Sequence, residues 1–394
     1  MSATPSISQQ PGHILFITGE YPPMPGGVGA YTAELAAALV DRGWQVSVLT
    51  SPGAKSVPPR STPVTVYPVM KRWGWNLLRD GVHWARETGA DWLHVQYQTA
   101  AFRMHPAINL APCWWQRQGL RVAWTYHDIL VPYLFPKAGK RLRRWVTDRP
   151  AVTCDLTIAT NAGDEQHLAK VARRLTTIPI GSNIQARILT PAERQARRAE
   201  RGYDNDDIVV GYFGFLNRSK GGLVLVDTIA RLLPELPTIQ LLMIGEQVGA
   251  SDPSNYAYLQ EVKAAIHAHG LAARVTWTGH QLDAEVSADL AACDLLFMPY
   301  LDGASLRRGT LMAGLAHGCA IITTTPTGPI PELVGGRDLL YVPPQDAEAS
   351  ATALLDLVRN PRKMATLRQN ARAASAAFTW EGIAEAHERL YLAR

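Results

Sequence analysis

Cysteine is scarce. Cys113, Cys154, Cys293 and Cys319 are the only four in 394 residues, and they lie far apart with no Cys-x-x-Cys pair and no Cys/His cluster. That spacing suggests neither a disulfide framework nor a zinc site, and leaves buried thiols as the reading. Long apolar runs are missing as well. No stretch approaches the roughly 18 consecutive apolar residues of a membrane span, and the start, MSATPSISQQPGH, lacks the basic-then-apolar order of a signal peptide. The expectation is a soluble, cytoplasmic chain. Net charge is small: 39 Lys+Arg against 34 Asp+Glu give a formal +5. This excess favours anionic partners, and no nucleic-acid-binding signature accompanies it. Solenoid repeats and low-complexity tracts are also lacking.

Apolar residues, by contrast, make up 47% of the chain, with 11 Trp and 13 Tyr, enough to offset chain ordering and exclude disorder as the main state. Single cores stop growing near roughly 250–300 residues, so two domains are expected. Short apolar runs recur at Ile14–Thr18, Gln45–Thr50, Trp92–Val95, Val122–Thr125, Leu156–Thr160 and Thr177–Ile180. A second series follows at Ile208–Phe213, Ile239–Ile244, Val275–Thr278, Leu295–Met298, Ala320–Thr323 and Leu339–Val342. Helical patterns separate most of them, which predicts an α/β fold of two doubly wound, Rossmann-like domains with parallel sheets, facing one another across a cleft. The Arg-rich helix at 191–201, capped by Thr190 with Pro191 at its first position, marks the change of series. The expected division is residues 1–188, residues 189–376, and an amphipathic terminal helix over 377–394 that could pack back on the first domain.

The turns that follow the strands carry the polar residues of interest. Gly26-Gly27-Val28-Gly29 lies between a strand and a helix, where backbone amides can face an anion, although simple turn geometry explains it equally well. Gly214 to Gly221 repeats the arrangement and adds Arg218 and Lys220, which suits a diphosphate better than an incidental solvated loop. Ser305, Arg307 and Arg308 stand at the start of a third helix, where cations oppose the helix dipole unless an anion sits between them. His127, in Thr125-Tyr-His-Asp128, ends a strand and could hydrogen-bond sugar hydroxyls, move a proton, or simply fill the core. His94, inside a strand run, reads as structural. Asp204-Asn-Asp206 precedes a strand and reads as a turn, so no metal ligands are nominated. Lys137 to Trp145 interleaves basic and apolar residues: a solvated basic helix, or a peripheral contact with an anionic membrane surface.

Taken in order, these segments resemble the retaining glycosyltransferases of the GT-B fold, in the large fourth family often called group 1. The resemblance rests on Tyr21-Pro-Pro with the glycine loop, Thr125-x-His-Asp128, Ile178-Pro-Ile-Gly-Ser-Asn183, Gly214-x-Leu-x-x-x-Lys-Gly221, Val275-Thr-Trp-Thr-Gly279 and Ala316-His-Gly-Cys-Ala-Ile-Ile322. It implies transfer of a sugar from a nucleotide diphosphate sugar to an acceptor hydroxyl on a glycan, a lipid-linked group or a small molecule, with no metal and no cofactor. The resemblance further implies donor phosphate or acceptor contact at Gly26 and Gly27, donor-sugar contact at His127, and diphosphate binding at Lys220, with His127 and Lys220 the catalytic candidates. Two departures stand out. The family's pair of glutamates, separated by seven residues, is replaced by Ser305 and Ala313, and its loop arginine by Phe215. Arg218, Arg307 or Arg308 is then expected to supply the missing positive charge. A degenerate, non-catalytic binding protein, or another GT-B enzyme such as a nucleotide-sugar epimerase or a phosphorylase, is the alternative.

Overall fold

The computed structural model describes residues 11–24, 26–54, 63–132, 136–248 and 253–393. The chain forms two compact units. One comprises residues 1–180 together with 380–394, the other residues 181–379.

The first unit begins with β1 (His13–Thr18), α1 (Gly27–Asp41), β2 (Gln45–Leu49), β3 (Thr65–Tyr67), α2 (Leu77–Thr88) and β4 (Trp92–Tyr97). It continues through α3 (Ala107–Arg117), β5 (Arg121–Tyr126), α4 (Gly139–Thr153), β6 (Leu156–Ala159), α5 (Ala162–Leu168) and β7 (Leu175–Thr177). The seven strands form one sheet in the order β3-β2-β1-β4-β5-β6-β7, and every pairing is parallel. Strand β1 explains why the sequence reads as a run rather than an alternation. Ile14 and Phe16 enter one core while Leu15 and Ile17 enter the core on the other face, so both sets are buried. The run expected at Thr177–Ile180 pairs two residues earlier, as β7, because the chain must leave the sheet toward Gly181. The three-residue edge strand β3, Thr-Val-Tyr, was too short and too exposed to register as an apolar run.

The second unit comprises α6 (Pro191–Glu200), β8 (Ile208–Phe213), α7 (Gly222–Leu232), β9 (Ile239–Ile244), α8 (Pro253–Ala268), β10 (Val275–Trp277) and α9 (Asp283–Ala292). It then runs through β11 (Leu295–Met298), α10 (Gly309–Ala316), β12 (Ala320–Thr324), β13 (Leu340–Val342), α11 (Ala347–Val358) and α12 (Pro361–Ser375). Its parallel sheet has the order β10-β9-β8-β11-β12-β13. Thr190 and Glu193 close a capping box at the start of α6, as the sequence signals. Arg197 and Arg201 of that region bind the fully buried carboxylate of Asp289 on α9, at 2.7 Å each, which is how an Arg-rich helix becomes a structural element.

In both sheets the strand order reverses beside the first strand of the unit: between β1 and β4 in one, between β8 and β11 in the other. Loops leaving adjacent strands on opposite sides open a crevice at that point, which is where ligands bind in open α/β sheets.

The terminal helix α13 (Trp380–Leu392) belongs to the first unit. Trp380, Ile383, Ala384 and Tyr391 join the core formed by β1, α1 and β2, and Glu388 binds Arg42 and the indole of Trp44. The Tyr391 hydroxyl shares a hydrogen bond with Nδ1 of His94, whose Nε2 meets Thr125 Oγ1 at 2.8 Å. His94 is therefore the structural residue its strand position suggests. No helix among the described residues is long and apolar enough to cross a membrane. Replacing Tyr391 with Ala removes a buried ring and orphans His94 Nδ1, and is expected to destabilise the first unit by about 3–5 kcal/mol, read by chemical denaturation.

Candidate functional site

The switch point of the second unit gathers most of the residues nominated from sequence. After β8 the chain passes Gly214 at φ +111° and enters a short 3-10 turn, Arg218–Lys220, capped by the Asn217 side chain. After β11 it passes Pro299, Tyr300 and Asp302 before α10. The two loops are tied together: Leu301 N–H donates to the Ser219 carbonyl at 2.8 Å, and Gly221, at φ +72°, lies so close to Pro299 that an added β-carbon would stand 1.9 Å from its carbonyl oxygen. Only glycine fits there.

This seam fixes Lys220. Its Nζ lies over Gly214, where a β-carbon would approach it to 3.0 Å and the Thr310 methyl to 2.8 Å. The Phe215 ring lies 5.8 Å from the ammonium, within cation–π range. Arg308 comes in from the other loop. Its guanidinium carbon is 4.6 Å from the centre of the Tyr300 ring, and the Tyr300 hydroxyl meets Thr310 Oγ1 at 2.6 Å. Burial, reinforced by the Arg308 charge, brings the Lys220 pKa down to about 8. Arg308 Nε is buried with no hydrogen-bond partner among the described residues. Two cations share one polar recess, and one of them keeps a donor unused. Two cations with a free donor between them can pair with an anion that carries several oxygens.

The other nominated residues fare differently. Arg218 points outward, binding both oxygens of Glu261 at 2.8 and 2.9 Å and lying over Tyr258, so it adds nothing to the Lys220 recess. Arg307 is exposed and faces Asp302 at 3.8 Å. Asp302 also binds Arg308 directly. The conflict of two arginines at a helix start is thus relieved within the chain by this aspartate, and does not by itself demand a bound phosphate. Ser305 Oγ accepts from the Arg307 amide at 3.4 Å, a local turn, while Ala313 is fully buried in α10. Thr310, Tyr300 and Asp302 were missed, because nothing in their sequence spacing distinguishes them from loop residues.

In the first unit the expectation for the glycine loop changes. Glu20, just after β1, turns its carboxylate onto the start of α1, accepting from the amides of Val28 at 3.2 Å and Gly29 at 3.3 Å. Gly26 makes room for it: a β-carbon there would stand 2.0 Å from Glu20 Oε1. Gly27 opens the helix with nothing within 4 Å of its β-carbon position. The amides that could have faced a phosphate are occupied by this carboxylate, whose pKa burial raises above its ordinary value. His127 follows β5 and donates Nε2–H to Gln96 Oε1 at 2.9 Å, with Tyr31 edge-on at 4.6 Å. Burial, with His387 nearby, lowers its pKa to about 3, so the ring is neutral near pH 7. A neutral imidazole suits hydrogen bonding to a hydroxyl, and not proton donation as a cation.

Comparison with known proteins fits this geometry. The family described as Glycosyltransferase Family 4 matches residues 25–186, and that described as Glycosyl transferases group 1 matches residues 207–360. The chain belongs to the family 4, group 1 glycosyltransferases. Its fold is the two-domain α/β GT-B fold. The chain is 25% identical to a D-inositol 3-phosphate glycosyltransferase of Stackebrandtia nassauensis over 91% of its own length and 85% of that protein. Relatives of the same name from other bacteria align over 55–65% of this chain and 47–60% of theirs. Among solved structures, a sucrose-phosphate synthase from Thermosynechococcus elongatus superposes with a TM-score of 0.74 at 24% identity, covering 97% of this chain and 98% of that one. Anabaena HepE, solved with UDP and glucose, superposes with a TM-score of 0.76 at 20% identity, covering 96% and 98%.

Two tests follow from the glycosyltransferase recess. Gly221→Ala must push on the Pro299 carbonyl from a left-handed conformation, and is expected to cost about 2–4 kcal/mol of stability in denaturant titrations. Because folding holds Lys220 below the ordinary 10.5, its charge is an expense to the free protein that is full below about pH 8 and disappears as pH rises toward 10.5. Stability of wild type relative to Lys220→Met should therefore rise with pH across that interval, while pyrophosphate affinity of wild type falls as pH passes about 8 and that of the variant does not.

Proposed function

We propose that this glycosyltransferase takes a nucleotide diphosphate sugar as donor and transfers the sugar to an acceptor hydroxyl with retention of configuration, and that it needs no metal ion. The observation that carries the reading is the pairing of Lys220 with Arg308 at the switch point of the second unit, with Arg308 Nε buried and unbonded. The charge that grows on the diphosphate as the glycosidic bond breaks is met by these two fixed cations, in surroundings where they are poorly hydrated. Preorganised charge of this kind is a large catalytic contribution.

In the reaction proposed, the bond from the anomeric carbon to the diphosphate oxygen breaks, and the acceptor oxygen bonds to the same carbon on the same face. The acceptor proton passes to the departing phosphate oxygen. No protein nucleophile is needed, and with Ser305 and Ala313 where the family pattern has glutamates, contacts to the donor sugar and ribose fall to other groups. HepE, the structural relative solved with UDP and glucose, supports a uridine nucleotide as the first donor to try. Phe215 replaces a family arginine and faces Lys220 with a ring, which spares the recess a third cation.

The direct experiment is incubation of the purified protein with UDP-sugars and candidate acceptors, with UDP release and product followed together. Turnover that persists in EDTA and a product whose anomeric proton coupling matches the donor are expected. Lys220→Ala and Arg308→Ala should each lower kcat/KM on the order of 100- to 1000-fold. UDP binding without transfer or hydrolysis for any donor tried would favour a non-catalytic binding protein instead.

A further inference from the structure

Helix α4 turns an apolar stripe toward solvent. Leu142, Trp145 and Val152 are 52%, 51% and 37% exposed, and with Arg149 their spacing of three, four and three residues places them on one face. Arg149 lies 5.6 Å over the Trp145 ring. The opposite face of the helix, Thr147, Pro150 and Ala151, is the one buried in the first unit. Leu130, 64% exposed, lies on the loop after β5. That loop is laced to α4: Arg144 donates to the Ile129 carbonyl at 2.8 Å and Arg143 to that of Pro132. Leu130 is itself held by Thr99 Oγ1, which donates to its carbonyl at 2.9 Å.

The exposed charges at the start of the helix are basic. Lys137, Lys140 and Arg141 are exposed and make no ion pair among the described residues, and Arg149 stands within the stripe. The acid of the helix, Asp148, faces inward, 2.9 Å from His167 and 3.8 Å from Arg144. We propose that α4 forms a peripheral membrane-docking face, in which Leu142, Trp145 and Val152 enter the headgroup boundary of a bilayer while Lys137, Lys140, Arg141 and Arg149 meet anionic lipid phosphates.

Charge complementarity selects this occupant. An interfacial helix binds through an apolar face flanked by Lys and Arg, and basic residues near an anionic leaflet each contribute to binding. A second copy of the chain meeting the same patch about a two-fold axis would bring these cations against one another, with no carboxylate on the face to answer them. The inference uses none of the residues of the donor recess, so it stands or falls separately from the donor reading.

The test is cosedimentation of the full chain with vesicles of equal parts phosphatidylcholine and phosphatidylglycerol, against vesicles of phosphatidylcholine alone. Binding to the anionic vesicles that weakens as salt rises is expected. Lys137→Glu, Lys140→Glu and Arg141→Glu should each reduce it at least fivefold at low salt, and Trp145→Ala about tenfold at any salt. All four substitutions are on the surface, and unchanged melting temperature and unchanged UDP binding identify folded protein with an intact recess. Equal binding to neutral vesicles, no binding at low salt, or binding that none of the variants alters would overturn the proposal. So would a wild-type dimer in sedimentation velocity that Trp145→Ala converts to monomer.

Discussion

A parallel sheet covered on both faces leaves little room for unpaired polar side chains except beyond the ends of its strands. Both units are built this way. The β1 residues Ile14 to Ile17 divide between two cores, and Val210, Tyr212, Leu241, Met243, Leu295 and Phe297 line the core of the second unit. Buried polar atoms must be bonded or they cost stability, so groups that carry charge collect in the loops beyond the carboxyl ends. The order reversal between β8 and β11 then makes one pair of loops diverge, and it is there that Lys220 and Arg308 meet. The chemistry follows from the sheet.

What holds those cations is backbone rather than side chain. The Leu301–Ser219 hydrogen bond and the contact of Gly221 with Pro299 lock two loops whose strands are already paired. Asp302 relieves part of the repulsion by binding Arg308, yet Lys220 still has its ammonium destabilised and Arg308 still has an unbonded Nε. A bound diphosphate would remove both deficits at once. The free protein carries an electrostatic cost here, and perturbed charges in such a place mark candidate binding sites.

The fold was legible because burial on both faces writes itself as short apolar runs, and the strands β8, β9 and β11 begin and end where those runs do. Strand β3 escaped because an exposed three-residue edge writes no such run. Lys220 was legible from its loop, since a lysine between a strand end and a helix start is conspicuous at short range. The roles of Arg218, Arg307 and Arg308 were not, because they are decided by partners far away in sequence or on the next turn: Glu261 takes Arg218, and Asp302 is shared by the other two. Glu20 was invisible for the same reason. Nothing local says that a carboxylate before Tyr-Pro-Pro will fold back onto amides eight and nine residues on.

The two switch points are topologically alike and electrostatically opposite. In the second unit the loops present cations. In the first, the helix start that might have bound an anion already holds Glu20, and a ligand phosphate there would have to expel a carboxylate that accepts two backbone hydrogen bonds. Among the polar groups of that unit, His127 is kept neutral by burial, Gln96 binds its Nε2, Thr125 and His94 bind one another, and Asp128 accepts from Thr99 and the Leu130 amide. Neutral donors and acceptors of that kind match hydroxyl groups, which carry no charge to balance, whereas a diphosphate needs fixed cations to compensate its lost hydration. Under the function proposed above, the fixed cations of the second unit take the charged leaving group, and the first unit offers no such pair of cations at its helix start. Gly26 helps keep it so, since the space its missing side chain leaves is the space the Glu20 carboxylate occupies.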